Sequence, residues 1–197
     1  PCADLLVSLR PGRVVAAMED PNPLVSGRGI AALRAAGIAV EVGLLRAEAE
    51  HLNEVFIKYV TTGLPFVTAK CAMTLDGKIA TRTGHSQWVT GAAARRYVHE
   101  LRNEVDSILV GSRTVMMDDP SLTTRLDEQP VKDPIRIVLD AADYLLTDRK
   151  VFTHQSAAPT WVAVTEDRHY PGAQEVLRIP RGPGGVDMNA LMAELGR

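Results

Sequence analysis

Two arginines, a few hydroxyls, several carboxylates and an indole stand in this sequence where they could bind an anionic, ring-bearing ligand. Asp76, Ser86, Thr114, Asp118 and Asp140 each fall just after a predicted strand end, the place where open α/β sheets bind ligands. Gly111-Ser112-Arg113-Thr114 follows an apolar run and offers backbone N–H groups, hydroxyls and a guanidinium, a mixture suited to anions. The same four residues would serve as a capped turn with a surface arginine. Arg102 and Arg125 carry the paired donors that grip phosphate, or are simply solvated. Trp88, in a polar loop, could stack on a nucleotide or enter a core. Asp118-Asp119-Pro120 presents two carboxylates but is chiefly a turn signal. The five histidines show no metal-binding spacing, and His51 and His99 read as surface or interface residues on helices.

Positioning these groups requires a particular order of elements. The stretch that declares the chemistry is Lys70-Cys71-Ala72-Met73-Thr74-Leu75-Asp76-Gly77-Lys78-Ile79-Ala80, running on to Ser86-Gln87-Trp88. Its apolar beginning, 66–72, reads as a buried strand. Leu-Asp-Gly then turns the chain, with Gly77 free to take a conformation closed to other residues. Thr90 is read as the cap of a helix with Ala94, Tyr97, Val98 and Leu101 on one face. Strands are expected at 106–111, 135–139, 150–153 and 161–165, a brief helix after Ser112, loops over 126–134 and 180–185, and a last helix at 188–195. Upstream, 3–9 reads as helix, 13–18 and 38–42 as strands around a helix at 29–36, and 46–60 as one amphipathic helix. Thr61-Thr62-Gly63-Leu64-Pro65 is the candidate domain boundary. Alternating strands and helices mean an α/β sheet of mostly parallel strands. No G-x-G-x-x-G follows a strand, so the motif of a Rossmann dinucleotide domain is missing.

Composition narrows the classes. The chain has 197 residues, 46% hydrophobic and 23% charged, with formal net charge −2 and mean hydropathy −0.02. That balance gives no electrostatic case for nucleic acid. No apolar run approaches the roughly 18–20 residues that span a bilayer. Two cysteines, Cys2 and Cys71, make no disulfide framework and fit a reducing cytoplasm. There is no initiator methionine, and the chain stops directly after an amphipathic helix; it reads as a fragment.

Several motifs together resemble one family. Asp20-Pro21-Asn22-Pro23-Leu24-Val25-Ser26-Gly27-Arg28-Gly29, followed by Leu-x-x-Ala-Gly-Ile, resembles the deaminase half of bacterial bifunctional riboflavin-biosynthesis deaminase/reductases. The run 70–80, Ser86-Gln87-Trp88-Val89-Thr90, Leu101-Arg102, Val110-Gly111-Ser112-Arg113-Thr114, Asp118-Asp119-Pro120-x-Leu122-Thr123-x-Arg125 and Arg136-Ile137-Val138-Leu139-Asp140 resemble the first part of the reductase half. The resemblance implies the C-terminal part of a cytidine-deaminase-like domain over 1–64, followed by an incomplete dihydrofolate-reductase-like α/β domain over 65–197.

It also implies site roles. Ala72, Trp88, Thr114 and Asp118 correspond to NADPH contacts. Ser86, Arg102, Leu122 and Arg125 correspond to contacts with a phosphoribosylamino-pyrimidine substrate, with Lys70 a further candidate. Reduction at the ribose C1 would follow. Cys2 matches one zinc ligand of the deaminase, but the His-x-Glu and other cysteine are absent. Catalytic zinc needs about three protein ligands, so this chain is expected to bind none and not to deaminate. The family's Glu-Gly-Gly strand is absent too, Ala141 stands where serine is frequent, and weakened NADPH binding is expected. A homo-oligomer without nucleic-acid or membrane partners is expected. The alternatives are a catalytically silent scaffold and a stand-alone reductase of a related pyrimidine nucleotide; the segment 1–64 argues against the latter.

Overall fold

Four runs of β-branched and aliphatic residues build the main sheet in the computed structural model, which describes residues 2–127 and 130–197. The chain divides into two compact units, Pro1–Thr68 with Met192–Arg197, and Ala69–Leu191. In the first unit, helix α1 (Cys2–Leu9) precedes strand β1 (Arg13–Ala16), and α2 (Arg28–Ala35) leads to β2 (Ala39–Val42). β1 and β2 pair in parallel, Val14 opposite Val40, as a strand–helix–strand crossover requires. Leu33 of α2 and Ile38 are buried. The single helix expected over 46–60 is two, α3 (Arg46–Leu52) and α4 (Glu54–Thr62). Asn53 separates them: its amide Nδ2 donates to the Ala49 carbonyl at 2.8 Å, a local bond that competes with helix continuation. The apolar stripe of this amphipathic segment is open, with Leu52, Val55, Phe56 and Tyr59 all exposed.

The second unit holds α5 (Ala92–Glu104), β3 (Ser107–Gly111), α6 (Ser112–Asp118), β4 (Ile135–Asp140), α7 (Lys150–Thr153), β5 (Thr160–Val164), β6 (Glu175–Arg178), the two-residue strands β7 (Arg181–Gly182) and β8 (Gly185–Val186), and the first half of α8 (Met188–Leu195), whose residues from Met192 on belong to the first unit. β3, β4, β5 and β6 form one sheet in that order, every pair parallel. β4 and β5 lie in the middle, and their Ile137, Val138, Val162, Ala163 and Val164 are at most 1% exposed. Such continuous apolar runs are what a sheet covered on both faces demands. On one face Val115 of α6, Val151 of α7, Leu122, Leu145 and Tyr170 close the core.

Several expectations are corrected. The run 66–72 forms no strand; its apolar side chains have no ladder partner among the described residues, and Phe66 and Val67 are exposed. A strand exists only through its neighbour's hydrogen bonds, and local apolarity cannot supply one. Residues 150–153 are helix, not strand. The loop expected over 180–185 is the β7–β8 hairpin, and β6 was not anticipated. Helix α5 starts from Gly91, in extended conformation, with no side-chain cap; Thr90 is not its cap. Glu128 and Gln129, within the loop expected over 126–134, lie outside the described residues, as does Pro1.

Candidate active-site cleft

Helix α5 presents two different faces. Arg95, Val98, His99 and Arg102, spaced by three and four residues, line a cleft of about 1430 Å³ in the second unit. The apolar face expected for it, Ala94-Tyr97-Val98-Leu101, contributes only Val98, and Tyr97 is exposed. The opposite wall comes from α6 and the loop after it, with Thr114, Asp118, Leu122 and Arg125; the run 70–72, Ser86 and Trp88 complete it. Lys70, Ala72, Ser86, Trp88, Arg102, Thr114, Asp118, Leu122 and Arg125 thus all border one space. Cys2 is exposed on α1. Among the described residues no group of three or more His, Cys, Asp or Glu could hold a metal ion, so the donors present do not fit catalytic zinc.

At one end lies Trp88, 72% exposed. The Arg95 guanidinium sits over its ring, 4.5 Å from the centroid, and donates to the Thr90 carbonyl at 2.6 Å. The cation steadies the indole by interaction with its π face and leaves most of the ring open. The turn before it is self-contained: Thr74 Oγ1 donates to Asp76 at 2.5 Å, and Gly77 N–H donates to the Thr74 carbonyl at 2.9 Å with φ of 76°. Asp76 is therefore engaged in shaping the turn.

At the other end the charge is positive. Arg102 Nη1 donates to the Thr123 carbonyl at 3.2 Å, while its buried Nε has no acceptor. Arg125 Nη1 donates to Ser121 Oγ at 3.1 Å. Neither arginine has a carboxylate in ion-pair range among the described residues. Burial, then the neighbouring charge of Arg125, holds the Arg102 guanidinium below the usual arginine range. His99 lies between them. Burial first, then the charges of Arg102 and Arg125, hold its imidazole below the usual histidine range, with the Thr123 carbonyl acting in the opposite sense. A desolvated cation lacking a counter-charge is costly, and an anion at this end of the cleft would relieve it.

The loop holding Arg125 is strained and pinned. Asp119 caps α6 at φ 41° and Leu122 has φ 57°. Asp tolerates this left-handed region through its short polar side chain; a buried leucine there costs about 1–2 kcal/mol. The loop is held by Thr124, whose N–H donates to Asp133 at 2.7 Å and whose hydroxyl donates to the Lys132 carbonyl at 2.7 Å. Asp119 accepts the Lys150 N–H at 2.8 Å, tying α6 to α7. Asp140, a candidate at the end of β4, is fully buried and accepts from Tyr144 N–H, Leu145 N–H and Tyr170 O–H; it fixes the loop after β4 and does not border the cleft. His99 was missed. Its signal was the i, i+3 spacing to Arg102 on one helix, which places both on the same face.

Comparison with known proteins bears on this cleft. The family described as RibD C-terminal domain matches residues 65–197. The riboflavin biosynthesis protein RibD of Escherichia coli (strain K12) is 41% identical over 210 residues, covering 100% of this chain and 57% of that protein. RibD of Bacillus amyloliquefaciens is 49% identical over 162 residues, covering 82% of this chain and 43% of its own length. The chain spans about half the length of these curated relatives. Among solved structures, a diaminohydroxyphosphoribosylaminopyrimidine deaminase/5-amino-6-(5-phosphoribosylamino)uracil reductase from Thermotoga maritima superposes with TM-score 0.81 at 36% identity, covering 100% of this chain and 54% of that one. The yeast riboflavin biosynthesis reductase Rib7 shares the fold, with TM-score 0.53 at 23% identity over 75% of this chain and 66% of its own. The α/β unit that carries the cleft is of the reductase type, and the chain belongs to the RibD family.

Proposed function

We propose that residues 65–197 are the NADPH-dependent reductase part of a bifunctional riboflavin-biosynthesis enzyme, reducing 5-amino-6-(5-phosphoribosylamino)uracil to its ribitylamino product. In this reading 1–64 is the C-terminal remnant of a zinc deaminase domain that, in a longer protein, acts on the corresponding diaminopyrimidine. The observation that carries the proposal is convergence: nine residues named by chemical type or by family resemblance border one cleft, with an open indole at one end and unneutralised cations at the other. The acceptorless Nε of Arg102 and the open face of Trp88 suit a phosphate and a flat nucleotide ring respectively.

Trp88, Ala72, Thr114 and Asp118 would hold the cofactor, which when bound supplies a hydride to the ribose carbon. Arg102 and Arg125 bind and orient the substrate phosphate, and Ser86, Leu122 and Lys70 position the rest of the substrate. The test is steady-state kinetics with paired variants. Arg125→Met should raise KM for the phosphorylated substrate at least tenfold and leave NADPH affinity unchanged; Trp88→Ala should weaken NADPH without that effect. Wild-type kinetics in both would refute the assignment.

A second reading, a catalytically silent scaffold that assembles as a homo-oligomer, is favoured by the exposed, ladder-free run 66–72. Loss of turnover with an intact oligomer in sedimentation would support it; turnover by this chain would end it.

A further inference from the structure

Arg125 presents two donors to the two nitrogens of one imidazole. Its backbone N–H points at His99 Nδ1 at 3.1 Å, and its Nη2 lies 3.4 Å from His99 Nε2. A neutral imidazole accepts at one nitrogen and donates at the other. The shorter, directed contact makes Nδ1 the acceptor, so the proton sits on Nε2. Nε2–H and Nη2–H then face each other as two donors, and the protein acceptor beside the ring, the Thr123 carbonyl, already takes Arg102 Nη1–H at 3.2 Å. The ring cannot resolve this by taking a second proton, since Nδ1–H would then oppose the Arg125 N–H. A ligand oxygen within reach of both groups would accept from each.

We propose that His99 is the third arm of the anion site, a neutral imidazole whose Nε2–H donates to a phosphate oxygen also held by Arg125. The inference rests on reading this end of the cleft as the phosphate subsite, and deepens it. The helix supplies His99 and Arg102 from one face, and the pinned loop supplies Arg125. Two of the three arms bring charge. The third brings a donor without a further positive charge, which limits repulsion inside the cluster in the unliganded protein.

The experiment titrates the chain with inorganic phosphate, at constant ionic strength, while following the imidazole nitrogens of His99 by ¹⁵N NMR. The free protein is expected to show the Nε2–H tautomer, and phosphate to shift Nε2 more than Nδ1. His99→Phe, which keeps a ring of similar size without a donor, should weaken phosphate about tenfold or more. His99→Gln, which restores an N–H donor, should stay within about threefold of wild type. If His99→Phe binds as wild type while Arg125→Met loses phosphate, the role of His99 is overturned and the phosphate subsite stands. If Arg102→Met and Arg125→Met both bind as wild type, the subsite reading itself fails and the inference with it. Should His99→Phe not fold, the wild-type resonances decide: an Nδ1–H tautomer, or no response at Nε2, overturns the proposal.

Discussion

Replacing Asp140 by asparagine should cost this protein about 2 kcal/mol, although the side chain keeps its shape. The wild-type carboxylate is 0% exposed. Its Oδ1 accepts Tyr144 N–H at 3.0 Å, and its Oδ2 accepts Leu145 N–H at 2.9 Å and Tyr170 O–H at 2.9 Å. Asp140→Asn turns one of these acceptors into an NH₂ group. In either amide orientation that group faces a backbone N–H, and a buried unsatisfied donor costs about 1–3 kcal/mol. For a chain of this size the melting temperature should fall by roughly 4–8 °C, and Asp140→Ala, which strands all three donors, should lose about 3–5 kcal/mol. Urea unfolding with an unchanged m-value measures the cost. The phenol gives a second readout. Burial, then the hydrogen bond to Asp140, pushes Tyr170 up to about 12. Its neutral form is favoured by folding, so this stabilisation is complete below pH ~10 and is lost as pH rises toward 12, about 2–3 kcal/mol in all. Absorbance at alkaline pH should show the phenol titrating lower in Asp140→Asn, and Tyr170→Phe should abolish that part of the alkaline loss. A variant Asp140→Asn as stable as wild type, with Tyr170 still at about 12, would refute the reasoning.

Three further outcomes are expected. His99 is held below its unfolded value, so its contribution to stability is present above pH ~6.5 and falls away as pH drops through the lower native value; Arg125→Met should bring the His99 titration, followed by NMR, back toward that value. The Lys150 N–H, then burial opposing it, sets the carboxylate of Asp119 below the usual aspartate range, so Asp119→Ala should cost about 1 kcal/mol in urea unfolding at pH 7, with the difference shrinking as pH falls below the native value and the wild-type carboxylate protonates. Arg136 is 4% exposed and leaves Nε and Nη1 without acceptors; Arg136→Met should be neutral or stabilising in thermal unfolding, and a loss above about 3 kcal/mol would contradict that.

What could be read in the sequence depended on how local the cause was. β3, β4 and β5 are continuous aliphatic runs bounded by breakers, and they stand where such runs predict. α5 was visible by periodicity, but of its chemistry-bearing face, Arg95-Val98-His99-Arg102, only Arg102 was named as a ligand contact, because apolar spacing marked Ala94, Tyr97 and Leu101, which do not line the cleft. The run 66–72 is as apolar as β4, yet pairing is a property of two strands and only one was in view. Lys150–Thr153 has strand-like composition and is too short for periodicity to separate one helical turn from a strand. The nine cleft residues were found by type and position after strand ends or by family resemblance. His99 was passed over because Arg125, which gives it meaning, lies 26 residues away.

The order of the main sheet has a consequence for how the molecule is made. β3, β4 and β5 each pair with the strand that follows in the chain, ending at β6, so the sheet can extend in one direction as successive segments leave the ribosome, with no early strand waiting for a late one. Only the closure of each crossover must precede the next pairing. Pulse-labelled hydrogen exchange during refolding should show β3–β4 amides protected no later than those between β5 and β6.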